Sequence, residues 1–262
     1  MQVINMEKTI KILCVGNSFS GNTTTFVSQL SQSLGKQVET YNLFYGGCSP
    51  QNHLDFYKED LPKYVLYKNG APVKGDSIYI TSKQVLSDTQ FDIITFQGPY
   101  IGTEKAENFE PLAELTKIVR SYQPNAEFIM HMTWANCHEY LVKYHRKAYE
   151  IDDLGDQYFA DTKQNYINYA EKLGNLRIIP FGQVLQTAKH EGFFTNDYAN
   201  ENSLFVDDVS HLSIPAKYIC GLVWVQFLFP DIDVRNTDFI PEKVTPLQAE
   251  KAKELVHNII GK

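Results

Sequence analysis

The stretch CVGNSFSGNTTTF, Cys14 to Phe26, closes an apolar run (residues 10–15) with a glycine. Small hydroxyl and amide residues follow, and then an amphipathic segment. This pattern presents or holds something at the tip of a strand where a helix opens. Two chemistries fit the thirteen letters: a nucleophilic serine, or a cradle of hydroxyls and amides for a phosphate.

Working outward, four more runs are rich in β-branched and aromatic residues: 38–45, 91–96, 127–133 and 176–180. Most lack a clean alternation, which reads as strands buried on both faces. Helical spacing lies between them. Residues 24–34 carry Phe26, Val27, Leu30 and Leu34; residues 109–122 carry Leu112, Leu115, Ile118 and Val119; residues 158–173 carry Phe159, Tyr166, Ile167 and Ala170 and stop at Gly174. Strand and helix in alternation predict a parallel sheet with helices on both faces. Two segments break the rhythm. Around residues 64–80, Asn69-Gly70 marks a hairpin turn, read as an excursion capping the sheet, and residues 81–86 form a short helix after it. Residues 191–207 are polar and turn-rich, a long loop on the active face. A last amphipathic helix spans 245–260.

The 262 residues, 43% of them hydrophobic and 13% aromatic, suit one domain spanning 1–262 with a real core. The net charge is −7 and no Lys/Arg cluster tracks a phosphate backbone, which argues against a nucleic-acid partner. No apolar run approaches the ~20 residues a bilayer requires, so no membrane partner is expected. The first residues lack a basic region followed by a long apolar one. The expected location is cytoplasmic if that start is the natural one, and secreted or periplasmic if a signal peptide has been trimmed. Cys14, Cys48, Cys137 and Cys220 form no CxxC pair, which predicts buried reduced thiols and no zinc site. Nothing in the sequence bears on oligomeric state.

In an open parallel sheet, ligands bind beyond the carboxyl ends of the strands. There the chain places Gly16-Asn17-Ser18, then Gly46-Gly47-Cys48-Ser49, then Gln97-Gly98, then Trp134-Ala135-Asn136. A serine at such a turn is either an N-cap or a nucleophile, and a nucleophile needs a base. Of seven histidines, His53, His131, His138, His145, His190 and His257 have bland explanations. His211 has Asp208 three residues before it, a spacing that lets a carboxylate hold one ring nitrogen and aim the other. The alternative is an Asp capping the next helix beside a surface His. For an oxyanion, the N–H groups of Ser18 and Gly47 and the side-chain amide of Gln97 are the candidate donors. A plain Gly-Gly turn and a strand-end Gln are the alternatives.

Taken together, a Ser at the first strand end, a Gly at the second, an amide at the third and a late DxxH resemble the SGNH (GDSL-type) hydrolases. The matching blocks run from residue 10 to about 215, and GNSFS, GGCS and DxxHLS look like a bacterial branch of that superfamily. The resemblance implies a three-layer α/β/α fold, with a flavodoxin-like five-stranded parallel sheet in the order 2-1-3-4-5. It implies ester hydrolysis with no metal or cofactor. It also implies Ser18 as nucleophile, His211 as base, Asp208 as its orienter, and the Ser18 amide, Gly47 and Gln97 as the oxyanion hole. Two letters depart from the pattern. Asn17 stands where the family has Asp, and Gln97 where it has Asn.

Residues 18–23 also resemble the phosphate loop of flavodoxins, with Tyr45 or Tyr100 available to stack on FMN. That reading gives Asp208, His211, Gly46-Gly47 and Gln97 no task. A third reading is a binding module that has lost its catalysis. For the hydrolase, Asn17, Tyr100 and Trp134 are the candidate substrate-binding residues. With the hairpin and the 191–207 loop they would wall a pocket for a saccharide carrying a short acyl ester such as acetate.

Overall fold

Strand β1 (Ile10–Val15) alternates between two cores. Ile12 and Cys14 face one, while Leu13 and Val15 face the other. This two-sided burial is why the run shows no polar face. The computed structural model describes residues 8–73, 78–145, 155–197, 199–206 and 211–261. Along them follow α1 (Ser18–Thr24), α2 (Val27–Ser33), β2 (Val38–Phe44), α3 (Pro50–Lys58), β3 (Val65–Lys68), β4 (Ala71–Pro72) and α4 (Ser82–Asp88). Then come β5 (Ile93–Phe96), α5 (Pro111–Tyr122), β6 (Glu127–His131), α6 (His138–His145), α7 (Asp156–Lys172), β7 (Arg177–Ile179), α8 (Phe181–Glu191), α9 (Ile214–Leu228) and α10 (Pro246–Ile260).

The sheet runs β4-β3-β2-β1-β5-β6-β7. Its five parallel members, numbered among themselves, keep the expected order 2-1-3-4-5. The strand count differs from expectation. The hairpin does not cap the sheet but extends it to seven strands, with β3 antiparallel to β2 and β4 antiparallel to β3. Asn69 and Gly70 both take positive φ, 49° and 80°, as a tight hairpin turn demands. Asn69 then locks onto β2, its Oδ1 accepting from the Thr40 N–H and its own N–H donating to the Thr40 carbonyl, both at 2.8 Å. Pro72 on the outermost strand has no N–H to offer a further strand.

Helices α1, α2, α8, α9 and α10 pack over one core, and α4, α5 and α7 over the other. Helix α9 is buried at every position from Pro215 to Gln226 except Lys217, so it is apolar all round. The helix expected over 24–34 is α2, which begins only at Val27, and a break at residues 25–26 separates it from α1. There the hydroxyls of Thr23 and Thr24 donate to the Ser20 carbonyl at 3.1 and 2.9 Å, and Thr25 donates to that of Gly21 at 3.0 Å. Such back-bonding bends a helix. Among the described residues, no helix is long and apolar enough to cross a membrane. The four cysteines are buried and form no disulfide.

Two histidines with bland sequence settings are core residues. His131 is fully buried against the Phe181 ring, and neither ring nitrogen has a partner among the described residues. His53 places Nε2 3.0 Å from the Gly16 carbonyl and Nδ1 2.8 Å from the Tyr64 hydroxyl. A carbonyl only accepts, so Nε2 carries the proton and Nδ1 accepts from Tyr64. Desolvation holds both rings neutral, at about 4 for His53 and about 3 for His131.

The unfolded chain protonates these rings near 6.5. Their contribution to stability is therefore complete above that pH and falls as pH drops below it. The slope is up to about 1.4 kcal/mol per pH unit per ring. The fall ends below about 4 for His53 and about 3 for His131. His131→Leu should lose less stability than the wild type between pH 7 and pH 4.5 in urea titrations; equal losses would refute this role of burial.

Candidate active site

The turn from β1 into α1 is capped by Asn17, whose backbone is extended (φ −137°, ψ −151°). Asn17 Oδ1 accepts from the Phe19 N–H at 3.0 Å, and Nδ2 donates to the Cys48 carbonyl at 2.9 Å. One side chain thus caps the helix and ties it to the Gly46-Gly47-Cys48 turn after β2. Because the neighbour does the capping, the half-buried Ser18 hydroxyl is released from that task. Gly16 has no room for a side chain, since a Cβ there would strike Ser20 Oγ and Gln97 Oε1.

Ser18 Oγ lies 3.1 Å from His211 Nε2, across 193 residues of sequence. The residues around His211 are held as a short antiparallel bridge. Phe205 pairs with Leu212, the Val206 N–H donates to the His211 carbonyl at 3.0 Å, and the Ser213 N–H to the Leu204 carbonyl at 2.9 Å. The loop after α8 is therefore pinned, with Phe194, Leu204 and Phe205 buried in the core. Asn22 completes the tie. Its Nδ2 donates to the Ser18 carbonyl at 2.7 Å, and its Oδ1 accepts from the Leu212 N–H at 3.2 Å. Phe19 meets the His211 ring edge to face, with centroids 6.4 Å apart. Asp208, the expected orienter of His211, lies outside the described residues.

The expected oxyanion donors gather round the same rim. Neither the Ser18 nor the Gly47 N–H donates to any group among the described residues. Gly47 takes φ +67°, and a Cβ there would press to 3.3 Å on the Tyr100 ring, so the position suits glycine. Gln97 is buried and engaged: its Oε1 accepts from Ser20 Oγ at 2.5 Å and its Nε2 donates to the Gly98 carbonyl at 3.3 Å. Tyr100 is half-buried and packs edge-on to Phe19 at 6.5 Å. Trp134 corrects an expectation. It is 2% exposed and lies against Phe19, centroids 4.5 Å apart, so it supports the site from beneath instead of walling it.

A cleft of about 230 Å³ opens beside Ser18, between α1 and the β2–β3 edge, with Lys217 of α9 at its border. Burial pushes the Cys48 thiol, next to the Gly-Gly turn, well above the usual thiol range, so it offers no thiolate. Three residues that sequence reasoning missed shape this region: Asn22, His53 and Asn42 of β2. Asn22 had been read only as part of a phosphate-loop pattern. The other two carry no local signal, because each acts on a backbone or side chain distant in sequence.

Replacing the cap tests the turn. Asn17→Ala should destabilise the protein by about 0.5–2 kcal/mol in urea unfolding. Asn17→Asp, which keeps the acceptor for Phe19, should recover part of that loss; equal losses in both variants would show that the Cys48 tie alone matters.

The architecture has solved counterparts. A DUF4886 family protein from Bacteroides uniformis superposes with a TM-score of 0.82 at 24% identity, covering 97% of each chain. A protein from Slackia heliotrinireducens, classed with the SGNH hydrolases, superposes at 0.52 and 17% identity, covering 84% of this chain and all of that one. The lipase/acylhydrolase from Enterococcus faecalis gives 0.51 at 12% identity, covering 84% and 95%. These likenesses establish an SGNH-like α/β/α fold. Comparison with curated proteins finds no match. The sequence fits, over residues 11–259, the family model described as a domain of unknown function, DUF4886, and the chain belongs to that family.

Proposed function

We propose that the protein is a serine hydrolase of O-acyl esters, with Ser18 as nucleophile and His211 as its base. The observation that carries this is the 3.1 Å contact between Ser18 Oγ and His211 Nε2, the reach a general base needs. The SGNH-like fold supports the same chemistry, as do the names of the relatives from Slackia and Enterococcus. In this mechanism His211 Nε2 takes the hydroxyl proton as Oγ attacks the ester carbonyl. The Ser18 and Gly47 N–H groups meet the oxyanion, with Gln97 as third donor. His211 then protonates the leaving alcohol. Water attacks the acyl-serine, gives a proton to the same imidazole, and releases the carboxylic acid and free Ser18. Asp208 holds the imidazole in the required tautomer. The cleft of about 230 Å³ beside Ser18 suits a small ester.

The phosphate-loop reading finds little support at α1. Ser20 donates to Gln97, Thr23 and Thr24 donate to the Ser20 carbonyl, and Thr25 donates to the Gly21 carbonyl. The hydroxyls that would hold an FMN phosphate are thus already engaged.

A fluorophosphonate should label the wild type once per chain and leave Ser18→Ala unlabelled. Hydrolysis of p-nitrophenyl acetate should fall by about 10³-fold or more in Ser18→Ala and His211→Ala, and by less in Asp208→Ala. Equal weak labelling of wild type and Ser18→Ala would leave a binding module, and a flavin spectrum in the purified protein would favour the phosphate loop.

Two further variants separate donors from braces. Gln97→Ala should lower kcat by roughly 10²-fold if its amide meets the oxyanion; a loss under tenfold would confine it to bracing Ser20. Asn22→Leu should lower kcat by about tenfold or more with KM little changed, because misplacing a reacting group by an ångström is that costly. An unchanged kcat would show that the tie to Leu212 is dispensable.

A further inference from the structure

We propose that the cleft beside Ser18 is a saccharide subsite, in which Asn42 Oδ1 receives a ring hydroxyl and Phe44 and Tyr67 wall the sugar whose ester Ser18 attacks. The proposal rests on the esterase reading of Ser18. It begins with strand register. Asn42 of β2 stands opposite Cys14 of β1 on one side and Tyr67 of β3 on the other. Directly paired residues share a sheet face, and Phe44, two residues along, shares it too. That face lies under α1, since Asn42 Nδ2 donates to Thr24 Oγ1 at 3.0 Å.

The hairpin carries the sheet out past α1. The half-buried rings of Phe44 and Tyr67 therefore stand beside that helix, packed edge to face with centroids 5.2 Å apart. Gly70 at the hairpin turn closes the far side near the Thr25 carbonyl. Ser18, Asn42, Phe44, Tyr67 and Gly70 all line this one cleft.

Asn42 gives the cleft its chemical preference. Asn42 is 2% exposed, and among the described residues its Oδ1 accepts no hydrogen bond, although Nδ2 is satisfied. A buried carbonyl oxygen without a donor is costly, and the cost is removed by a ligand that brings an O–H. An alkyl chain would fill the space and leave Oδ1 unpaired. A pyranose supplies both halves of the match: hydroxyl donors for Oδ1 and an apolar C–H face for the aromatic wall. Because Ser18 borders the same cleft, an ester on a ring substituent lies within the nucleophile's reach.

The test compares kcat/KM for an O-acetylated methyl glucopyranoside with that for ethyl acetate, which has the ester but no ring. The wild type should prefer the glycoside, and that preference should drop roughly tenfold in Asn42→Leu and in Tyr67→Ala. Tyr67, near the sheet edge, keeps the test usable if Asn42→Leu fails to fold. A second arm measures binding of methyl glucopyranoside itself by saturation-transfer NMR. Binding by wild type and Ser18→Ala, lost in Tyr67→Ala, supports the subsite even if no ester is cleaved, and then only the esterase reading fails. Ethyl acetate turnover without glycoside preference or glycoside binding overturns the subsite and leaves the esterase standing. Absence of both hydrolysis and glycoside binding overturns both.

Discussion

Asn22 spans two parts of the chain that, among the described residues, no sheet ladder or helix connects. It donates to the Ser18 carbonyl and accepts from the Leu212 N–H. The hydroxyl and the imidazole belong to opposite ends of the sequence, and each is half a hydrogen-bonded pair only if the other is held. A loop free to drift by an ångström would break a 3.1 Å contact. The side-chain amide supplies a fixed length, and both its atoms are used. Asn17 repeats the device on the other flank, joining the start of α1 to the turn after β2. His53 adds a third support below, on the Gly16 carbonyl. Backbone groups at a strand-to-helix turn lack ladder partners. Here three side chains, two from α1 and its cap and one from α3, fill that deficit, and in doing so they aim the turn.

How much of this was written in the sequence depends on the range of the interaction. The five parallel strands were legible, because burial on both faces leaves continuous apolar runs such as residues 10–15 and 91–96; their order was implied only by the resemblance to SGNH hydrolases. Ser18 and His211 were legible as a strand-end serine and a DxxH, since both patterns are local. Helix α3 was locally written as well. Ser49 and Asn52 form a capping box and Pro50 opens the first turn, although the same Ser49 also closes a Gly-Gly-Cys-Ser stretch that reads as a site turn. The hairpin's turn was readable at Asn69-Gly70, but its destination was not. Whether two strands lie over a sheet or join its edge is decided by what the other edge offers. Trp134 shows the same limit, since an aromatic at a strand end reads alike whether it walls a pocket or supports its floor.

The hairpin also changes what the site can bind. A five-stranded sheet would end at β2, leaving Asn42 and Phe44 at an edge. Extended by β3, the same residues become the floor and wall of a concave surface next to Ser18. The cleft wall thus lies on a segment separate from β1, α1 and the His211 bridge, so it can vary while they stay as they are.

The four cysteines carry a consequence of another kind. None forms a disulfide and all are buried, and burial raises the thiols of Cys14, Cys48 and Cys220, Cys14 to about 12. Thiolate is the species that exchanges with disulfides or meets oxidants, and here it is scarce and shielded. No disulfide staples this fold, and its cysteine sulfurs are screened from whatever oxidant or thiol the solvent carries.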